Sequence, residues 1–69
     1  MSDKEFLMLM GAKIRVTRKA CKMSLRDLEK FKMADFGHLS RIENGQVALS
    51  IITLKKIAEA LQVDIKEFL

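Results

Sequence analysis

Apolar residues recur three and four positions apart along almost the whole chain, and no proline interrupts them. That spacing is one face of an α-helix, repeated from segment to segment. With only three glycines and an abundance of Lys, Leu, Ile, Ala and Glu, the pattern predicts an all-α protein. The 69 residues include one cysteine and one histidine, so neither a disulfide framework nor a zinc cage is at hand to support so small a core. Helix packing and association between chains are the remaining sources of stability.

Capping signals divide the chain into five segments, read as one domain over residues 1–69, a compact five-helix bundle. Ser2 with Glu5 three residues on is a capping box, in which each side chain satisfies an orphan backbone N–H. The first helix is expected from about residue 3 to 21, with Leu7, Met10, Ile14 and either Thr17 or Cys21 facing inward. Phe6, Met8 and Leu9 widen that surface past one stripe, which suits either a larger core or an association face. Ser24 with Asp27 repeats the capping pair, and a second helix at 25–32 turns Leu25, Leu28 and Phe31 inward. After a turn at Met33 and Ala34, Asp35 caps a third helix that runs to about Asn44. Gly45 then supplies a left-handed stop. Ser50 caps a fourth helix with Ile51, Leu54, Ile57, Ala58 and Leu61 inward. Asp64 with Glu67 opens a short fifth, from which Ile65, Phe68 and Leu69 close over the bundle.

The net charge of +4 is unevenly placed, since residues 11–32 hold eight basic side chains against two acidic ones. A basic stripe of this kind is the footprint of a polyanion partner, although helix charges are more often plain solvated faces. The apolar run 6–10 is too short to span a membrane or to form the core of a signal peptide. A cytoplasmic chain without a membrane partner is expected, and Cys21, read as a small half-buried hydrophobe, agrees with a reducing compartment.

Residues 34–45, ADFGHLSRIENG, carry the most information. Leu39 and Ile42 share one helical face, while Phe36, Gly37, His38, Ser40 and Arg41 fall on the other. A second short helix just before it completes the pattern that places one helix in a DNA groove. Together with Ser24-Leu25-Arg26-Asp27-Leu28 and the run from Ser50 to Leu61, this stretch resembles the lambda-repressor/Cro family of DNA-binding domains, of the xenobiotic-response-element type, over about residues 11–69.

The resemblance implies a helix-turn-helix fold whose third helix enters the major groove of double-stranded DNA. Phe36, Gly37, His38 and, one turn later, Arg41 then reach base edges. Arg41 suits guanine O6 and N7, His38 an acceptor edge, and Phe36 a thymine methyl. The plainer readings are a Phe36 packed beneath the second helix, a solvated His38 and a surface Arg41. Phosphate contacts fall to Ser40, Asn44, the N–H groups near Leu25 and Arg26, and Arg26 itself, which stands in for the glutamine that relatives carry at Leu25. Arg18 and Glu43 match positions that form a structural ion pair. Glu29 replaces the usual alanine, which implies a second helix that is rotated or partly frayed.

No Gly-rich phosphate loop, paired-carboxylate cleft or nucleophile–base set stands out, so no enzyme, cofactor, metal or small-molecule ligand is expected. The function implied is a transcriptional regulator, repressor-like, bound as a homodimer to palindromic half-sites ~34–36 Å, or a multiple of this, apart. Val47, Ile52, Ile65, Leu69 and the extra apolar residues of the first helix are the candidate dimer contacts. Asp35, Phe36 and that same helix also fit a second class, a protein-interaction module such as an antitoxin or anti-repressor.

Overall fold

Both predicted capping boxes are made, and they set where the first two helices begin. Ser2 Oγ accepts from the Glu5 N–H at 3.1 Å while Glu5 Oε1 accepts from the Ser2 N–H at 3.0 Å. Ser24 and Asp27 repeat the exchange at 3.0 and 2.8 Å. Donation from the Ser2 backbone and then from its hydroxyl stabilises the ionised Glu5, whose pKa lies below the ordinary 4.5. Asp27 lies below 3.8 for the same reason at Ser24. The computed structural model describes residues 1–69, with α1 at Asp3–Ala20, α2 at Leu25–Glu29, α3 at Phe36–Glu43 and α4 at Ile51–Leu61. None of these helices is long and apolar enough to cross a membrane.

The fifth helix is a correction: Ile65–Glu67 form a single 3-10 turn, so the bundle has four α-helices. Asp64 Oδ1 accepts from the Lys66 N–H at 3.0 Å, and Phe68 N–H reaches back three residues to the Ile65 carbonyl at 3.0 Å. At three residues per turn Ile65 and Phe68 share a face, and Phe68 is buried in the core. Leu69, expected beside it, is exposed.

Three helices end in the left-handed region, and only one uses glycine for it. Gly45 has φ 69°, with Gln46 N–H bonded to the Arg41 carbonyl and Gly45 N–H to that of Ile42, a Schellman closure of α3. Lys22 at φ 58° closes α1 and Gln62 at φ 58° closes α4 with the same pair of bonds. Lys32, at φ 63°, turns the chain just after α2. That helix therefore stops at Glu29 rather than 32, and Phe31 faces solvent while Met33 packs against the core.

The core is Met10 and Ile14 from α1, Leu28 from α2, Leu39 and Ile42 from α3, four residues of α4 and Phe68. The α4 set, Leu54, Ile57, Ala58 and Leu61, keeps the i, i+3, i+4, i+7 spacing of an inward stripe. Ile51 precedes it by one turn and is exposed. On α1, Leu7 and Thr17 are half-buried, and Cys21 is exposed instead of filling a small hydrophobic site, because Arg18 takes the inward position there. The same helix crosses the end of α3 at contact distance. A Cβ on Gly11 would overlap the Ile42 carbonyl and stand 2.6 Å from that of Glu43.

Candidate nucleic-acid interface

Helix α3 has a back that is locked and a front that is bare. Leu39 and Ile42 hold the back in the core, and Glu43 anchors its last turn to α1. Arg18 Nε donates to Glu43 Oε2 at 2.7 Å and Nη2 to Oε1 at 3.0 Å, a bidentate pair with both residues under 9% exposed. The third arm of the guanidinium, Nη1, donates to the Met23 carbonyl at 2.7 Å, between α1 and α2. One buried group thereby ties α3 to α1 and to the segment leading into α2. Its bond to Glu43 raises the Arg18 pKa further above its ordinary value despite the opposing effect of burial, so the guanidinium stays charged.

The start of α3 is built differently, from carboxylates on two elements. Asp35 Oδ1 accepts from the His38 N–H at 2.8 Å, the expected cap. A second carboxylate comes from Glu29 across the turn, whose Oε2 accepts from the Phe36 N–H at 2.7 Å. Glu29 thus ends α2 and caps α3, a role no local spacing announces because the bond spans seven residues. The second helix, expected to be rotated or partly frayed, is short, and Glu29 at its end fastens it to its neighbour.

Arg26 joins this cluster. Its guanidinium lies 4.3 Å from the centre of the Phe36 ring and 3.6 Å from Glu29 Oε1. Phe36 is not packed beneath α2 but is 37% exposed, with the Arg26 cation over its ring. Gly37, Arg41 and Asn44 are exposed along the same helix, and His38 and Ser40 are half-buried. Arg41 makes no ion pair with any carboxylate of the chain, whereas Lys30 lies 3.7 Å from Asp27. Of the predicted contact residues, Arg26, Phe36, Gly37 and Arg41 present exposed surface around the first two turns of α3, and Asn44 caps its far end.

The arrangement offers cations, hydroxyl and amide groups and one aromatic ring along one helix, with an open hollow at its far end between Asn44, Gly45 and Gln46 and Lys4, Leu7 and Met8 of α1. No three His, Cys, Asp or Glu side chains gather as a metal site. An open apolar hollow of about 350 Å³ lies elsewhere, where Leu9, Ala12, Val16 and Thr17 of α1 meet Glu67.

Comparison with known proteins bears on this geometry. Residues 14–68 match the family model described as helix-turn-helix. Among solved structures, the restriction-modification controller protein C.AhdI from Aeromonas hydrophila is 25% identical, with a TM-score of 0.93 and all of both chains covered. The DNA-binding domain of BldD is 27% identical, with a TM-score of 0.87 over 100% of this chain and 99% of that one. A family transcriptional regulator from Vibrio cholerae is 27% identical, with a TM-score of 0.89, covering 97% of this chain and 38% of the longer protein. No curated protein sequence matches.

Proposed function

We infer from the family to which this chain belongs, the helix-turn-helix DNA-binding transcription regulators of lambda-repressor type, that it binds a palindromic operator as a homodimer with α3 in the major groove. The observation that carries this reading is the contrast across α3: a back held by Leu39, Ile42 and the Arg18–Glu43 pair, and a front on which Arg41 is exposed and unpaired. A rigid helix with a free guanidinium is what base reading in a groove requires. Arg41 takes guanine O6 and N7, His38 an acceptor edge, and Phe36 and Gly37 the surface nearest the bases. Arg26, Ser40 and Asn44 reach phosphates on either side, with the basic residues of α1 and α2 supplying longer-range attraction.

Pairing follows from size, since one short helix in a groove buries too little surface for tight binding. Phe6, Met8, Leu9 and Val16 on α1, with Ile52 and Leu69, are exposed apolar residues from which a dimer contact can be made. A homodimer seated over a promoter would act as a repressor.

Selection from a random duplex pool identifies the operator, and retardation of that duplex over a salt series measures the affinity. Steep loss of binding with salt is expected. Arg41→Ala is expected to weaken the matched duplex by about 1–3 kcal/mol and random duplex far less. Equal loss on both would remove its base-reading role. Sedimentation with and without duplex tests the homodimer. Salt-insensitive self-association with no duplex complex would assign the fold to protein interaction instead.

A further inference from the structure

Phe36 is the one side chain on the front of α3 with neither a charge nor a hydrogen-bonding tip, and two other side chains hold it. The carboxylate of Glu29 does two of these tasks at once: Oε2 takes the Phe36 backbone N–H at 2.7 Å, and Oε1 lies 3.6 Å from the Arg26 guanidinium. That guanidinium in turn sits 4.3 Å from the ring centre. Phe36, the first residue of α3, is left 37% exposed. Next to it, Gly37 has open space where a side chain would be, with only Asp35 Oδ1 at 3.5 Å from a Cβ built there. Nothing inside the chain requires glycine at that position, and a helix interior disfavours it. Its absence of a side chain lets an outside surface come up beside the ring.

The major groove offers donors, acceptors and a single kind of apolar group, the methyl on C5 of thymine. Cytosine presents the same methyl when it is modified at C5. We propose that Phe36 is a specificity-determining residue that reads a pyrimidine 5-methyl group, and that Arg26 and Glu29 are positioning residues that hold its ring for the purpose. The inference rests on the DNA-binding reading above and names one chemical feature of the duplex. Its consequence is that the protein distinguishes 5-methylcytosine from cytosine at that base pair, so DNA methylation alters its affinity.

The test uses the selected operator with each thymine replaced in turn by deoxyuridine, which lacks only the methyl. At one position per half-site, deoxyuridine is expected to weaken binding about fourfold, the value of one buried methyl. With cytosine at that position, 5-methylcytosine is expected to bind about fourfold tighter than cytosine, so the two series separate the thymine methyl from the modification mark. Phe36→Ala should abolish both differences and Phe36→Leu should keep them, with the thermal melt of each variant measured beside it. Glu29→Ala should narrow the methyl ratio, and Glu29→Gln, whose amide oxygen still accepts from the Phe36 N–H, should restore most of it. A chain that binds its operator yet ignores the methyl at every thymine overturns this inference alone, as does a methyl effect that survives Phe36→Ala. A chain that retards no duplex removes the DNA reading itself.

Discussion

Gly11 and Gly37 both lie inside α-helices, where glycine is about 1 kcal/mol less favourable than alanine, yet their surroundings are opposite. At Gly11 a Cβ would run into the carbonyls of Ile42 and Glu43, because α1 crosses the C-terminal turn of α3 at backbone contact. At Gly37 a Cβ would make only an ordinary contact, 3.5 Å from Asp35 Oδ1. The first glycine is required by the protein's own packing, and the second is not. The two ends of α3 follow the same division. Its C-terminal turn is held by buried apolar residues and a buried ion pair, and its first turn by exposed polar links to Asp35, Glu29 and Arg26.

The sharpest way to break this contrast is Glu43→Ala, which strands the buried Arg18 charge. It is expected to cost about 3–5 kcal/mol in chemical denaturation. A loss below about 1 kcal/mol, the range of an exposed pair, would mean that the far end of α3 is not locked as described. Gly11→Ala comes next, at about 1–3 kcal/mol, since backbone atoms of α3 must shift to admit a methyl. Gly37→Ala has the opposite sign: it is expected to raise stability by up to about 1 kcal/mol while weakening operator binding. A Gly37→Ala chain that is more stable and binds equally well would separate the glycine from recognition.

The smallest effect is in acid. Glu5 and Asp27 have pKa values lowered on folding, so each contributes stability above its unfolded value and loses it as the pH falls through the folded one. Melts in falling pH should therefore drop below about 4.5, the ordinary Glu5 value. Ser2→Ala and Ser24→Ala should flatten that drop. A pH profile unchanged by both variants would assign it to other carboxylates.

What could be read from residue order alone was what depends on neighbours three or four positions apart. Both capping boxes, the Asp35 and Ser50 caps, the stop at Gly45 and the inward stripe of α4 are of that kind, and the resemblance that pointed to the helix-turn-helix rests on the same local signals. The stops at Lys22 and Gln62 and the turn at Lys32 gave no such sign, because a left-handed lysine or glutamine is set by the packing around it and not by its own preference. Early termination of α2 then left Phe31 outside, against expectation.

The interface divides along the same line. Helical geometry alone turns Arg41 to the opposite side from Leu39 and Ile42, so its exposure follows from the sequence once the helix is granted. The cluster of Glu29, Arg26 and Phe36 does not, since it joins atoms from two helices across a turn whose path the residues do not dictate. Local hydrogen bonds and apolar period determined where α1 to α4 begin and most of the face each buries, while the expected fifth helix proved a single 3-10 turn. Only the tertiary structure decided how α2 meets α3, because a contact across a turn depends on where the whole chain comes to rest.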